Sequence, residues 1–338
     1  MAGERVLLTG ASGFIARHIA LLLLAEGYRV RGTVRSRDKG ERLEKLLGAA
    51  GAATDRFELA EADLTRDAGW DAAAKGCDFV CHTASPLPVR QPKERNALLP
   101  AARDGTVRVV RAAAKAGARR LVLTSSVAAV AYGHAGERKE SFCDSDWSNV
   151  DSPEISAYAI SKTLAEQAAW EVAKGEGLAM ATINPSVVAG PLLGEDPGAS
   201  VRLVLMMMRG KLPVVPNVSF GVVDVRDVAR AHVAALTAEA AAGRRFLVTA
   251  GPLTLMEMGQ AIAEAVPECR GKVPRHVVPD VVTRLARRMI PSVRAVLPEP
   301  GRRSIFVTDP ARRILGFDPA DPRQAIAETA LSLQGRVF

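Results

Sequence analysis

A tyrosine and a lysine four residues apart are the first candidates for chemistry in this sequence. Tyr158 and Lys162 stand at positions i and i+4 of a predicted helix, Ala157 to Ala173, so their side chains share one face. A phenol with its ordinary pKa of about 10 is a poor acid–base group at neutral pH. A fixed cation nearby favours the phenolate, so we expect Lys162 to lower the pKa of Tyr158. The pair could then exchange a proton with an alcohol oxygen.

A serine near the end of a predicted strand is the third candidate. The strand runs from Leu121 to Ser125, and the helix that carries Tyr158 follows it. In a parallel sheet the carboxyl ends of the strands form the side that binds ligands. We therefore expect Ser126 to hydrogen-bond a substrate carbonyl oxygen, with Tyr158 and Lys162 completing the catalytic set.

A glycine-containing turn lies near the amino terminus. The run Thr9 to Ala16 (Thr-Gly-Ala-Ser-Gly-Phe-Ile-Ala) joins a predicted strand, Arg5 to Thr9, to a predicted helix, Phe14 to Glu26. Gly10 permits the tight turn, and Gly13 lets the backbone approach a pyrophosphate. The start of the helix supplies free N–H groups and the positive end of its dipole. This strand–turn–helix context predicts a dinucleotide site.

The residues after the second predicted strand, Tyr28 to Val34, indicate which dinucleotide binds. A site for NAD prefers an acidic residue there, to accept hydrogen bonds from the ribose diol. This chain has Arg35 instead, which can stack on adenine and pair with a 2′-phosphate. Lys39 adds a second cation. The sequence therefore favours NADP(H).

Strand and helix patterns alternate through the first half of the chain, which predicts an α/β fold with a Rossmann-type, doubly wound parallel sheet. The alternation lapses after Pro191. A helix from Val222 to Leu236 and a strand from Phe246 to Thr249 are expected to return to the sheet. We therefore predict a nucleotide-binding domain of residues 1–190 plus about 221–249, and a smaller C-terminal substrate-binding lobe of about 191–220 and 250–338.

Composition excludes several classes of protein. The chain has 338 residues, of which 48% are hydrophobic and 24% charged, as in ordinary globular proteins. Its net charge of +8 is spread along the chain, and aromatic residues make up only 4%, so no nucleic-acid partner is expected. No apolar run is long enough to span a membrane. The four cysteines form no CxxC pair, so the sequence does not suggest a zinc site. We expect a cytoplasmic protein without a membrane partner or a metal.

Several motifs together resemble one known family, the extended short-chain dehydrogenase/reductases. Besides the glycine turn, Ser126 and the Tyr158–Lys162 pair, the matching runs are Asp63-Leu64, His82 to Pro86, Asn184-Pro185 and Val223 to Ala229. The spacing of Arg35 and Lys39, the run from Ala157 to Trp170, and Phe306 to Phe317 are most similar to the dihydroflavonol-reductase-like aldehyde and ketone reductases.

The resemblance implies an NADP-dependent reductase that interconverts aldehydes or ketones with alcohols, with Tyr158 as the general acid. It assigns Lys162 to the nicotinamide ribose and Ser126 to the substrate carbonyl. The further cofactor-binding residues that it implies are Thr9, Gly10, Ser12, Gly13, Phe14 and Ile15 at the pyrophosphate, Arg35 and Lys39 at the 2′-phosphate, Asp63 and Leu64 at adenine, Thr83, Ala84 and Ser85 along the cleft, and Pro185, Val188 and Ser200 near the nicotinamide.

Two other functions stay open at this point. One is an NAD-dependent nucleotide-sugar epimerase or dehydratase on the same scaffold, against which Arg35 argues. The other is a non-catalytic NADP(H)-sensing protein, against which the intact Tyr158–Lys162 pair argues. For a reductase we expect a small carbonyl or alcohol substrate of apolar character, because Leu192, Leu193, Met206 to Met208 and Phe220 lie in the segment expected to cover it. A monomer or a homodimer is expected.

Overall fold

Strands and helices alternate along most of the chain in the computed structural model, which describes residues 3–86, 92, 94–134, 141–290, 293 and 297–336. The strands are β1 (Arg5–Thr9), β2 (Arg29–Val34), β3 (Phe57–Glu61), β4 (Phe79–His82), β5 (Arg120–Thr124), β6 (Ser141–Phe142), β7 (Met180–Pro185), β8 (Val187–Ala189), β9 (Val214–Pro216), β10 (Ser219–Asp224), β11 (Arg244–Val248), β12 (Gly251–Thr254), β13 (His276–Val278) and β14 (Ile305–Phe306). The helices are α1 (Phe14–Ala25), α2 (Arg37–Ala49), α3 (Trp70–Ala74), α4 (Gly105–Lys115), α5 (Ala157–Gly175), α6 (Ala199–Met208), α7 (Val225–Thr237), α8 (Leu255–Ala265), α9 (Asp280–Met289), α10 (Asp309–Leu315) and α11 (Pro322–Leu333).

A parallel sheet forms the centre of the molecule. Within the described residues it has seven strands in the order β11-β7-β5-β4-β1-β2-β3. From β1 the chain adds β2 and β3 on one side of the sheet, and then β4, β5 and β7 on the other side. In such sheets ligands bind in the crevice at this switch point between β1 and β4. The predicted doubly wound α/β fold is confirmed.

Helices cover both faces of the sheet. On one face α1 and α7 pack together over β1, β2 and β11, with Ile19, Val228 and Phe246 in the shared core. On the other face α3, α4 and α5 cover β4 and β5. Strand β1 is buried on both sides, which explains its uninterrupted apolar run from Val6 to Leu8. Each such large aliphatic side chain stabilises the fold by about 1.5–3 kcal/mol through burial.

The helix expected from Val222 to Leu236 begins later than the sequence indicated. Val222 and Val223 belong to β10, where Val222 pairs with Val187 of β8 and Gly251 of β12. Their β-branched side chains suit a strand. The helix α7 starts after Asp224, whose carboxylate accepts a hydrogen bond from the Arg226 amide.

A second apolar cluster lies among α6, α8 and α11. It includes Met207 and Ile262, together with Ala189 of β8 and Val222 of β10. In contrast, Leu315 of α10 packs into the cluster of the central sheet. The division into a nucleotide-binding domain and a smaller lobe, with the boundaries given above, stays a prediction.

Three buried histidines make the stability of the fold depend on pH. Burial lowers the pKa of His232 to about 4, that of His18 to about 4 and that of His82 to about 3. In the unfolded chain these rings bind protons below about pH 6.5. Between about pH 6.5 and 4 the unfolded state therefore binds more protons than the folded state, and the free energy of unfolding falls as the pH falls.

We predict that His232→Gln reduces this pH dependence by close to one proton, or about 1.4 kcal/mol per pH unit, near pH 5, and by less toward pH 6.5. The replaced ring contacts the Thr124 hydroxyl and the Val228 carbonyl, so the variant also loses stability at pH 7.5. Urea titrations at several pH values measure both effects. The control is His276→Gln on the exposed surface of β13. An unchanged slope in the His232 variant would refute the prediction.

Candidate active site

The glycine turn between β1 and α1 forms a cradle in which Gly10 has no room for a side chain. Gly10 has φ +64°, and a Cβ there would lie 2.9 Å from the Ala84 Cα. The Gly13 amide donates to the Gly10 carbonyl at 2.8 Å. Helix α1 begins after Gly13 without a side-chain cap, so its first-turn amides have no side-chain acceptor there. Such a cradle fits a pyrophosphate group.

Hydrogen bonds lock the loop after β4 to the end of β1. The Thr9 hydroxyl accepts from the amides of Thr83 and Ala84, each at 3.1 Å, and lies 2.7 Å from His82 Nδ1. Since this oxygen already accepts twice, it donates its own proton to Nδ1. The protonated Nε2 of His82 then faces the Thr106 hydroxyl at 3.2 Å. These bonds hold the ends of β1 and β4 together, and these two strand ends form the walls of the crevice.

The residues expected at the adenosine end gather at the neighbouring strand ends. Arg35 and Lys39 are exposed after β2, where they are free to meet a phosphate. Asp63 follows β3 and accepts from the Thr65 amide at 2.8 Å and hydroxyl at 2.7 Å. These bonds lower the pKa of Asp63, and the charge of Arg35 lowers it further. Leu64 packs closely against Gly105.

The three candidate catalytic residues meet at the end of β5. The Ser156 hydroxyl caps α5 by accepting from the Ala159 amide at 3.1 Å, and this fixes Tyr158 in the first turn. The Tyr158 phenol interacts with the Ser126 hydroxyl. Lys162 is buried, and its Nζ donates to the Thr124 carbonyl at 3.2 Å. Proton donors therefore converge at the ligand side of the sheet.

The expectation that the pKa of Tyr158 lies below its ordinary value is wrong. Burial raises the pKa of Tyr158 above its ordinary value, and the hydrogen bond with Ser126 opposes that shift only in part. Burial also lowers the pKa of Lys162 to about 8, although the charge of Glu166 raises it. Desolvation is thus the largest cause of both pKa shifts, whereas the spacing of the pair suggested attraction between cation and phenolate.

The remaining candidates lie around this edge. Ser12 and Ile15 are half-buried in the glycine turn and the first turn of α1. Phe14 lies beside Gly198, the residue before α6, and half-buried Ser200 stands in the first turn of that helix. The Pro185 carbonyl accepts from the Ser126 hydroxyl at 3.5 Å. The buried Val188 lies next along the chain, in β8.

A small cavity lies between the loop after β4 and Lys162. Its volume of about 10 Å³ is about the least that holds one water molecule. The residues that line it are Ala84, Ser85, Thr106, Leu123, Thr124, Ser125, Lys162, Ala165 and Glu166. Thus Ser85 and Lys162, 77 positions apart in the sequence, border one space.

Two residues of this region were missed in the sequence. Glu166 is completely buried, lines the cavity and pairs with Arg245 of β11 at 2.6 Å. One signal was available: Glu166 follows Lys162 by four positions, so it shares the buried face of α5. Its partner lies 79 positions away, and nothing local in the sequence connects them.

The described residues contain neither a metal-binding cluster nor a membrane-spanning helix. Among residues 3–86, 94–134, 141–290 and 297–336 there is no group of three or more His, Cys, Asp or Glu side chains placed to hold a metal ion. No helix in the described part of the chain has the length and apolar character needed to cross a membrane.

Comparisons with known proteins give a consistent picture. The profile of the NAD dependent epimerase/dehydratase family matches residues 6–249. Cinnamoyl-CoA reductase CAD2 of Medicago truncatula is 40% identical over 252 residues, which cover 73% of this chain and 76% of that protein. Tetraketide alpha-pyrone reductase 2 of Arabidopsis thaliana is 37% identical over 246 residues, covering 70% and 75%.

Solved structures agree over nearly the whole length. The yeast methylglyoxal/isovaleraldehyde reductase Gre2 complexed with NADPH superposes with a TM-score of 0.82 at 26% identity, covering 98% of both chains. Vestitone reductase from Medicago sativa gives a TM-score of 0.75 at 25% identity, also covering 98% of both.

We predict that Gly10→Ala abolishes dinucleotide binding. A Cβ at this position meets the Ala84 backbone, and the left-handed conformation costs an L-residue about 1–2 kcal/mol. NADPH fluorescence titration measures the binding, and thermal unfolding measures the stability.

The matched control is Gly51→Ala, because Gly51 has φ +81° with nothing within 4 Å of its added Cβ. This variant shares the conformational cost and should bind NADPH as the wild type does. Equal binding by both variants would contradict the role of the cradle.

Proposed function

Because the chain belongs to the NAD dependent epimerase/dehydratase family, we propose that it is an NADPH-dependent reductase that interconverts aldehydes or ketones with alcohols. The resemblance to extended short-chain reductases is confirmed by this match and by the named relatives. The observation that carries the proposal is the meeting of the Tyr158 and Ser126 hydroxyls beside the buried Lys162. This cluster lies across the strand ends from the glycine cradle.

Tyr158 acts as the general acid in carbonyl reduction. Its raised pKa keeps the phenol protonated at neutral pH, which is the form that can donate a proton to the carbonyl oxygen. Ser126 donates a hydrogen bond to the same oxygen and orients it. Bound NADPH supplies the hydride for the carbonyl carbon. In the reverse direction Tyr158 would accept the alcohol proton.

Lys162 stabilises the charge that develops when Tyr158 gives up its proton. Its Nζ is held by the Thr124 carbonyl, so the ammonium stays at the end of β5, one turn along α5 from Tyr158. A cation fixed in a buried site stabilises an anion more strongly than one in water. We propose that Lys162 also binds the nicotinamide ribose.

The cofactor fits the residues around the cradle. The first turn of α1 receives the pyrophosphate, and Arg35 with Lys39 receives the 2′-phosphate. Arg35 makes the choice of NADP(H) over NAD(H), because a guanidinium pairs with a phosphate in a bidentate manner and has no acceptor for a ribose diol. Asp63 and Leu64 border adenine, and Thr83 to Ser85 line the cleft.

The two alternative functions have less support. The relatives and solved structures reported above are named as reductases, not as epimerases or dehydratases. Tight NAD in the purified protein would favour an epimerase. A cofactor-sensing protein has no need for the convergent Tyr158, Ser126 and Lys162 side chains. Tight NADPH binding without NADPH oxidation across a broad carbonyl panel would favour that function.

We further propose an apolar substrate. Tyr158, like half-buried Leu99, Tyr132 and Leu164, packs against a buried apolar cluster, so its surroundings suit an apolar group. Of the residues expected to cover the substrate, Leu192, Met207 and Met208 are core residues, whereas Leu193, Met206 and Phe220 keep exposed surface. We also propose a monomer or homodimer in a reducing cytoplasm, in line with the free thiols of the four cysteines.

We predict that Tyr158→Phe lowers kcat for aldehyde reduction by about 10²–10⁴-fold, because the proton donor is lost. The Kd for NADPH should change less than about threefold, since the first turn of α1 and Arg35 are untouched. NADPH consumption and fluorescence titration measure the two effects.

The matched control is Tyr28→Phe, which removes the phenolic hydroxyl of a buried tyrosine in the core of the central sheet. We expect it to keep its turnover. Comparable turnover by the Tyr158 variant would defeat the assignment.

We predict that Arg35→Ala raises the KM for NADPH by about 10–100-fold and leaves the KM for NADH nearly unchanged. The loss corresponds to one charge-assisted, bidentate contact. Arg37→Ala, which removes the exposed guanidinium two residues further on, is the control and should change neither KM. Equal changes for both cofactors would show that Arg35 does not contact the 2′-phosphate.

A further inference from the structure

We propose that Glu166 is a positioning residue of this reductase: with Arg245 it fixes the strand ends that carry Ser126 and keeps Lys162 charged. The inference rests on the proposed function and assigns part of the control of that site to a buried ion pair outside it.

The carboxylate of Glu166 is the centre of a dense hydrogen-bond network. Glu166 is 0% exposed. It accepts from the Ser125 hydroxyl at 2.5 Å, the Thr182 hydroxyl at 3.1 Å and the Asn184 amide at 2.8 Å. Thr182 and Asn184 belong to β7, and Ser125 directly follows β5. One carboxylate on α5 therefore joins the ends of two strands.

Arg245 extends the same network to the loop before α5. Its Nε donates to Glu166 at 2.6 Å, while Nη1 donates to the carbonyls of Asp144 at 2.7 Å and Asp146 at 2.5 Å. The guanidinium also lies over the Trp147 ring, 3.7 Å from its centroid. Residues 144–147 belong to the loop that leads into α5. These contacts therefore restrain the loop that precedes Tyr158.

The network reaches the catalytic residues directly. The Asn184 amide donates to Glu166 and also lies within 3.3 Å of the Ser126 carbonyl. Ser125, the neighbour of Ser126, donates to the same carboxylate oxygen, Oε2, as Asn184 does. Two contacts therefore hold the backbone of Ser126 relative to α5, which carries Tyr158.

Glu166 also determines the electrostatic surroundings of Lys162. The groups that face this ammonium are the Thr124 carbonyl of β5, His82 of β4, and Glu166 on its own helix. His82 is neutral at physiological pH because burial lowers its pKa to about 3. Glu166 raises the pKa of Lys162 and so opposes the effect of burial.

Stability alone is a poor reason for this pair. A buried ion pair often contributes no more stability than apolar residues of the same volume, because both charges lose their hydration. Glu166 and Arg245 lie behind the strand ends on which the chemistry depends, and a carboxylate offers acceptors in several directions at once. We therefore assign the charged pair to the positioning of these strand ends.

The experiment uses the full chain with NADPH and an aldehyde on which the wild type turns over. Glu166→Gln keeps the shape of the side chain and removes its charge, so the loss of activity at high pH should move about one unit toward lower pH. We expect kcat to fall about 10-fold and KM for the aldehyde to change less than twofold. Arg245→Lys keeps a positive partner but lacks the planar guanidinium, which binds Glu166 through Nε and the two carbonyls through Nη1 at the same time. It should lower kcat about 10-fold without moving the alkaline limb.

Asp227→Asn is the matched control, because Asp227 is an equally buried carboxylate paired with Arg230 on α7. It should keep the wild-type kcat and pH profile. A Glu166→Gln enzyme with the wild-type pH profile and kcat overturns the inference. If that variant does not fold, an unchanged kcat in Arg245→Lys overturns it instead. A wild type without carbonyl reductase activity refutes the proposed function itself.

Discussion

The burial of the Lys162 ammonium is the constraint on which the site depends. Taking an ammonium out of water costs several kcal/mol even after the surroundings relax, and here it lowers the pKa of Lys162 to about 8. The Thr124 carbonyl and the charge of Glu166 compensate in part. Glu166 in turn needs Arg245, which needs the carbonyls of residues 144 and 146. A chain of buried charges thus links α5, β5, β7 and β11.

The parallel sheet makes this arrangement possible. Its strand order puts the ends of β1 and β4 on either side of a crevice, with β5 and β7 next to it. The glycine cradle belongs to β1, the Thr83–Ser85 loop to β4, and Ser126 to the end of β5. The helix that follows β5 then brings Tyr158 and Lys162 to the same edge. The proposed cofactor and substrate sites are neighbours because adjacent strands of the sheet end side by side.

Local signals in the sequence predicted much of this. Strand, glycine turn and helix near Thr9 follow from spacing within a dozen residues, and the shared face of Tyr158 and Lys162 follows from helical geometry. The start of α7 was misjudged because Val222 fits either a helix or a strand, and only its partners on β8 and β12 decide. The Glu166–Arg245 pair and the raised pKa of Tyr158 depend on contacts between distant segments, which no local pattern contains. The roles of the individual site residues stay proposals.

The central claim is that the Ser126, Tyr158 and Lys162 cluster reduces a carbonyl group beside bound NADPH. Its most direct test follows deuterium from NADPH labelled twice at the nicotinamide C4 into the product of an aldehyde. We expect the alcohol to carry one deuterium on its carbinol carbon for each NADPH consumed, and its hydroxyl proton to come from solvent. An alcohol without carbon-bound deuterium, or deuterium released into water, would contradict the claim.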